Sequence, residues 1–337
     1  MEYQAIGSGD VEISEITLGM WNLSGDDTWG EQEEQTAIDT IHEAIELGVT
    51  TFDNAEMYGD GYTEQLLGRA LEGYDRDRLT VTSKATPDNL RFDDLIASCD
   101  RSLDRMDTDY IDIYYIHWPN RDVPFAETLR GLADLQDAGK ISQAAISNFG
   151  PQDLEDVVST IEEQNLDIDL TLNQVPYNLL FRAIEYDIVP VCEQYDIGIT
   201  SYSSLLHGVL TGKFDGPDEV PDARARTRHF SPDRPGTTHD GEGAEELSFD
   251  ALEHIEKIAH ELGMSMEELA IAWNLSRPQV KSVIVGARTP EQIRQNAGAA
   301  DVELSDNTVE RLNAATRELK ETLGPNPDMW QTDSRYR

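Results

Sequence analysis

Tyr110-Ile111-Asp112-Ile113-Tyr114-Tyr115-Ile116-His117 is followed by an amphipathic stretch, Phe125–Ala138, and then by Ile141-Ser142-Gln143-Ala144-Ala145-Ile146-Ser147. The two flanking runs are nearly continuous in β-branched, aromatic and small apolar residues. That pattern suits strands buried on both faces, as in a parallel sheet. The stretch between them has the apolar spacing of a helix. Residues 110–147 therefore read as strand, helix, strand, and the rest of the chain repeats the rhythm. Working outward, further strands are expected at Ile16–Met20, Val49–Asn54, Leu79–Lys84, Leu170–Gln174, Gly198–Tyr202 and Val280–Val285. Helices are expected at Glu31–Leu47, Thr63–Leu71, Phe92–Leu103, Asp153–Glu163 and Glu185–Tyr195. Eight such repeats in 337 residues point to one α/β domain over 1–337, a (β/α)₈ TIM barrel. A doubly wound sheet is the alternative, weakened because no GxGxxG follows any candidate strand.

Three segments fall outside the rhythm. Gly7-Ser8-Gly9-Asp10, between short alternating runs, reads as the turn of a hairpin preceding the first barrel strand. Residues 206–248 carry Gly, Pro, Asp, Arg and His with little periodicity, so a long loop after strand seven is expected there. Loops of that length in compact domains usually serve function. Residues 324–337 read as an extended polar tail, apart from Met329 and Trp330.

Composition removes several classes of function. Asp and Glu number 66 against 26 Lys and Arg, for a formal net charge of −40. Such a field repels nucleic-acid phosphate and anionic membranes, so neither is expected as a partner. Only six of the basic residues are Lys, which leaves 20 Arg. Acid excess joined to Lys depletion points to the cytoplasm of a salt-accumulating halophile, where screening shortens to about 3 Å at molar salt. No apolar run approaches the roughly 18 residues of a membrane span. The start, Met1-Glu2-Tyr3-Gln4, lacks the features of a signal peptide. Two cysteines, Cys99 and Cys192, support neither a disulfide framework nor a zinc site, and no metal is expected.

In a barrel of this kind, chemistry belongs at the C-terminal ends of the strands. Those ends carry Asp53 with Tyr58, then Lys84, His117, Ser147-Asn148, Asn173-Gln174 and Tyr202. Each has an ordinary structural explanation, but together they lie on one rim. A tyrosine hydroxyl can donate a proton at neutral pH if its phenolate is stabilised. A Lys84 ammonium beside Tyr58 is expected to lower the phenol's pKa, with Asp53 holding that ammonium charged. His117 is placed to hydrogen-bond the oxygen that Tyr58 protonates. This is a site for reducing a carbonyl, given a source of hydride.

Asp53-Asn54-Ala55-Glu56-Met57-Tyr58-Gly59 resembles the DxAxxYG segment of the aldo-keto reductases. Gly61–Leu71, Thr82-Ser83-Lys84, Ile116-His117-Trp118-Pro119, Ser147-Asn148-Phe149, Asn173-Gln174, Pro176-Tyr177-Asn178 and Leu210-Thr211-Gly212-Lys213 are similar to that family's motifs as well. The likeness runs over about residues 1–320 and is nearest to the bacterial and potassium-channel β-subunit branch. It implies a catalytic tetrad of Asp53, Tyr58, Lys84 and His117, with Tyr58 the general acid. It also implies NADP(H) on the barrel mouth. Ser147, Asn148 and Gln174 would meet the nicotinamide carboxamide, and Tyr202 would stack on its ring. Ser203, Leu205, Gly208 and Lys213 would wrap the pyrophosphate. Gly286 and Arg288, with Thr289, open a helix N-terminus that suits an anion. The resemblance assigns that segment to the 2′-phosphate and puts Gln292 and Asn296 on the adenine. Gln295 stands where the family often has Glu.

Trp21, Met57 and Trp118 adjoin these strand ends and are expected to wall a pocket for a small carbonyl or alcohol substrate. Arg224, Arg226, Arg228 and His229 cluster in the long loop. They read either as contacts to an anionic or polyhydroxy ligand, or as partners of the loop's own carboxylates. Two other functions compete with reductase activity: a cofactor-retaining redox sensor for a partner protein, and a lyase forming a Schiff base on Lys84.

Overall fold

The computed structural model describes residues 1–7 and 11–337. A two-stranded antiparallel hairpin comes first, β1 (Tyr3–Ala5) and β2 (Glu12–Ser14). Of its expected turn, Ser8, Gly9 and Asp10 lie outside the described residues. Eight parallel strands then close into a barrel: β3 (Ile16–Gly19), β4 (Thr51–Asp53), β5 (Thr80–Ala85), β6 (Ile111–Ile116), β7 (Ile141–Ser147), β8 (Leu170–Pro176), β9 (Gly198–Tyr202) and β10 (Val280–Gly286). Around the ring each strand pairs with its sequence neighbours, and β10 closes on β3.

The helices that follow successive strands are α1 (Glu34–Glu46), α2 (Tyr62–Leu71), α3 (Phe92–Met106), α4 (Phe125–Asp137), α5 (Pro151–Gln164), α6 (Ile184–Gln194), α7 (Glu245–Leu262), α8 (Met266–Leu275) and α9 (Pro290–Gly298). Then come α10 (Asp306–Ala315) and α11 (Arg317–Leu323). Helix α1 begins three residues later than the apolar pattern implies. Glu33 supplies the reason: its carboxylate accepts the Thr36 N–H at 2.6 Å and sets the first turn.

Strand β6 shows how the pleat divides its side chains. Ile113 and Tyr115 point into the barrel, where they meet Ile13, Ala145 and Leu172. Tyr114 and Ile116 point outward into the core shared with the helices. Hairpin residues Ile6, Val11 and Ile13 plug the N-terminal end of the barrel, so the opposite, C-terminal end is the open one. Thr80, which opens β5, donates to the Glu12 carbonyl from that plugged end.

Two expectations need correction. Residues 206–248 are not loop throughout, because α7 starts at Glu245 and takes the last four of them. The remainder contains two short 3₁₀ turns, Leu206–Thr211 and Pro217–Glu219, and buries Ala225, Thr227, His229 and Phe230. The tail beyond Gly324 is also less polar in its surroundings than in its composition. Asp328, Met329 and Tyr336 are all buried, because the segment folds back across the barrel mouth.

Candidate active site

The strand ends deliver four side chains to one corner of the mouth. Asp53 is the last residue of β4, Lys84 the next to last of β5, and His117 follows β6 directly. Tyr58 comes from a tight turn after β4. There Asn54 accepts the Thr63 hydroxyl at 2.6 Å, and Gly59, Asp60 and Gly61 all take positive φ. Gly61, at φ 86°, is where this turn requires glycine, and a side chain there would also push against the movable Arg105 guanidinium.

Lys84 has 0% exposure. Its Nζ donates to Asp53 Oδ2 at 2.8 Å and to the Asn54 carbonyl at 2.6 Å, and stands 3.4 Å from the Tyr58 hydroxyl. Burial presses the ammonium's pKa down, and Asp53 opposes that pressure. For Tyr58 the expected direction is reversed. Burial first, and the Asp53 carboxylate second, push the phenol well above its ordinary pKa. Tyr58 therefore holds its proton. Burial, aided by Lys84, drives the His117 imidazole well below its usual value, so the ring is neutral. It meets the Tyr58 ring edge-on, with centroids 5.8 Å apart.

Above this corner lies a cavity of about 1020 Å³. Asp53, Tyr58 and His117 line it, and Lys84 sits behind its wall. All the residues expected at a cofactor line the same cavity: Ser147, Asn148, Gln174, Tyr202, Ser203, Leu205, Gly208, Lys213, Gly286, Arg288, Gln292 and Asn296. So do Trp21, Met57 and Trp118. Trp21 stacks on Tyr58 at 6.3 Å, whereas Met57 is 53% exposed at the rim.

Several of these groups already have partners within the protein. Gln174 Nε2 donates to Asp53 Oδ1 at 2.7 Å, and Ser147 Oγ donates to the Gln174 carbonyl at 2.9 Å. Asn148, in the left-handed region at φ 64°, donates to the His117 carbonyl and to Ser147 Oγ. Its Oδ1 accepts the hydroxyls of Tyr202 at 2.8 Å and Tyr336 at 2.5 Å. Tyr202 stacks on Trp330, with centroids 6.2 Å apart. Asn296 donates to the Gly286 carbonyl, and Gln292 accepts from the Arg288 N–H.

Arg288 is the largest departure from a free anion ligand. Its Nε donates to Gln32 Oε1 at 2.8 Å, Nη1 to the Trp29 carbonyl, and Nη2 to those of Gly30 and Glu31. The guanidinium fastens the loop between β3 and α1. The arginine cluster of the long loop divides in a similar way. Arg224 lies over the Trp29 ring at 5.2 Å and Arg226 donates to Thr28 Oγ1, and both line the cavity. Arg228 turns away and His229 is buried, held between Thr227 and the Leu180 carbonyl. Arg234, outside the expected cluster, is the one that pairs with the segment's acids, Asp222 and Glu245.

The sequence reading missed Trp29, His207, Trp330, Arg335 and Tyr336. His207 lines the cavity between Trp21 and Trp29, and its Nε2 is buried without a protein partner among the described residues. Its only signal was a bulky residue in front of Gly208. The tail residues carried none beyond two aromatics in a polar stretch.

Comparison with known proteins agrees with this layout. The model of the aldo/keto reductase family matches residues 15–317. Aldo-keto reductase YhdN of Bacillus subtilis is 33% identical over 305 residues, covering 87% of each chain. NADH-specific methylglyoxal reductase of Escherichia coli is 30% identical and covers 94% of this chain and 98% of its own. A crystal structure of an aldo-keto reductase from Klebsiella pneumoniae with NADPH superposes with a TM-score of 0.70 at 28% identity, covering 90% and 91%.

Proposed function

The chain belongs to the aldo/keto reductase family, and from that premise we propose that it is a single-domain NADP(H)-dependent enzyme that reduces aldehydes or ketones, or oxidises the corresponding alcohols. One observation carries the reading: a fully buried Lys84 bonded to Asp53 at 2.8 Å and poised 3.4 Å from the hydroxyl of Tyr58.

The residues around the cavity fit a dinucleotide. Lys213, Arg224, Arg226 and Arg288 gather along it in a chain of net charge −40, which would otherwise repel phosphate. Among the described residues, Asn22 Oδ1 and His207 Nε2 are buried in its wall without protein partners. Ser203, Lys213 and Gly208 would hold the pyrophosphate, with Gln292 and Asn296 beyond them. When bound, the nicotinamide supplies the hydride for the carbonyl carbon. NADPH in the Klebsiella pneumoniae reductase supports the choice of NADP(H), and the NADH-specific relative keeps NADH as the competitor.

The protein's part is acid catalysis. Neutral His117 donates one hydrogen bond to the carbonyl oxygen and fixes its position. Tyr58 transfers its phenolic proton to that oxygen as negative charge builds there, which is worth about 10²–10⁴-fold. The phenolate left behind is stabilised by the Lys84 ammonium. Asp53 keeps Lys84 charged against burial, and Gln174 and Thr82 keep Asp53 in place. Trp21, Met57 and Trp118 give the apolar walls.

The test is a panel of aldehydes, ketones and sugars with NADPH and with NADH, at low and at molar salt, followed by loss of reduced-nucleotide absorbance. We expect turnover of small aldehydes, faster with NADPH. Failure to oxidise either nucleotide with any member of the panel would overturn the reading.

A further inference from the structure

Three acids from one stretch of chain, Asp53, Glu56 and Glu64, bond the end of β5. Asp53 takes the Lys84 ammonium at 2.8 Å. Glu56 Oε1 accepts the Thr86 N–H at 2.8 Å, and Glu64 Oε1 accepts the Ser83 hydroxyl at 2.6 Å. Tyr58 lies between Glu56 and Glu64 in the chain. The turn that carries the acid is thus fastened, before and after Tyr58, to residues on both sides of Lys84. The pleat sends Lys84 into the barrel with its neighbour Tyr115 and turns Ser83 outward, which puts Glu64 behind the strand, in the first turn of α2.

Glu64, like Lys84, has 0% exposure. Its other oxygen, Oε2, accepts Nη1 of Arg105, a partly exposed residue of α3, at 2.9 Å. The pair is therefore oriented, with its carboxylate toward the strand of Lys84 and its cation toward the surface. Packing alone does not call for it, since apolar residues of the same volume often serve stability as well as a buried ion pair. The groups around Lys84 are Asp53 of β4, Tyr58 of the turn, Tyr115 of β6, His117 after it, and Glu64 of α2. Only Asp53 and Glu64 are anions among these, and Asp53 also accepts from Gln174 and Thr82. Burial presses the Lys84 pKa down, and Asp53 first and Glu64 second resist it. Cys99 and Tyr114, the titratable groups on the other side of Glu64, are pushed up by burial and stay neutral.

We propose that Glu64 is a positioning residue for carbonyl reduction: bonded to Ser83 behind β5, it sets Lys84 against Tyr58 and supports the lysine's positive charge from the outer face of the barrel. Asp53 grips the ammonium from inside, and Glu64 supplies a second anion one residue away along the strand. The inference rests on the carbonyl-reductase reading, in which the Lys84 ammonium stabilises the phenolate of Tyr58.

The two halves of the ion pair test it, because removing either one breaks the same contact and changes the charge oppositely. Glu64→Gln keeps an acceptor for Ser83, removes the anion and leaves Arg105 unopposed, so Lys84 should lose its proton at lower pH. The alkaline limb of kcat/KM for butanal should then move down by about one pH unit, or about tenfold in rate on the limb, while the rate at neutral pH changes little. Arg105→Gln should move the limb up. Glu64→Asp should bring it back toward its normal position. Glu64→Gln with Arg105→Gln, a neutral pair, should move it down by less, and serves if the single variant does not fold. Lys84 can also be followed with no nucleotide or substrate, from its ¹³Cε resonance in a chain with only six lysines, identified by its loss in Lys84→Met. Its titration midpoint should shift in the same order. Shifts in one direction for both single variants, or an unmoved limb and midpoint, would overturn the proposal. Absence of aldehyde turnover in the unaltered protein would instead break the reductase reading, and the Lys84 resonance would still decide the role of Glu64.

Discussion

The tetrad corner and the late loops of the barrel mouth use charge in opposite ways. At the corner, strand ends fix the side chains, and the backbone register alone brings Asp53, Lys84 and His117 together. Asp53 and Lys84 bond each other there, and Tyr58 and His117 face the cavity. In the late loops and tail there is no sheet to hold the chain. Arg228 and Arg288 act there as staples, and all their acceptors but the Gln32 side chain are main-chain carbonyls. Leu323, for example, closes α11, so its carbonyl is one that the helix leaves unpaired and Arg228 takes up. An arginine in a structureless segment has as much reason to serve the backbone as to serve a ligand.

The largest expected effect tests the corner. Tyr58→Phe keeps the ring against Trp21 and removes the transferable proton, so carbonyl reduction should fall by about 10²–10⁴-fold. Nucleotide affinity should stay within a factor of about two, because the phenol's partner in the structure is Lys84. Steady-state rates and nucleotide titration measure the two quantities separately. A variant that keeps a third of the normal rate would remove Tyr58 as the acid and, with it, the contrast between the two regions.

The next effect belongs to the late segment and depends on pH. The His229 imidazole is neutral in the fold, with Nε2–H donating to the Leu180 carbonyl and Nδ1 accepting the Thr227 hydroxyl. Burial lowers its pKa from 6.5 to about 4. Between those values the unfolded chain binds a proton that the folded chain refuses. Stability therefore falls as pH falls through that window, by about 1.4 kcal/mol per pH unit for this residue. His207, lowered to about 4 by burial, adds in the same direction. Unfolding in urea between pH 4 and 7 should show the slope, and His229→Gln should remove its share. An unchanged slope would mean that the ring is not buried in this way.

A smaller loss is expected from Arg228→Ala. It frees three tail carbonyls, at about 2 kcal/mol once they rehydrate. The tail should become open to limited proteolysis near residues 325–334, while the barrel unfolds almost as before. Weakened binding of acidic substrates with an intact tail would restore the reading of Arg228 as a ligand.

These outcomes bear on what the sequence can and cannot announce. All eight barrel strands are legible because a strand buried on both faces needs an apolar run, and Tyr110–His117 needs little context to be read. The tetrad is legible for a related reason: polar residues at the ends of such runs have no other common purpose. The direction of the Tyr58 pKa was not legible. It depends on how much solvent reaches the hydroxyl, and no spacing reports that. The tail was not legible either. Arg228 meets Asp328 across 100 residues, and Tyr336 meets Asn148 across 188. Neither pair sits at a helical or strand period, so composition alone said only polar and extended.

Arg288 is where the two uses of charge meet, and the effect expected there is the smallest. A guanidinium has five N–H groups, and four are committed to Gln32 and to the carbonyls of Trp29, Gly30 and Glu31. What remains for a 2′-phosphate is one N–H and the field of the charge. Arg288→Ala should therefore weaken NADPH only about 3- to 10-fold and leave NADH within about twofold, as read by nucleotide titration at fixed ionic strength. Because Arg288 also fastens the loop that carries Trp29, hydrogen exchange over residues 26–33 should quicken in the variant with no nucleotide present. A loss near 100-fold for NADPH alone would mean that the guanidinium leaves its carbonyls to take the phosphate, making this arginine a ligand first. Equal losses for the two nucleotides would make it purely a staple, and any preference for NADPH would then have to come from Lys213, Arg224 and Arg226 across the groove.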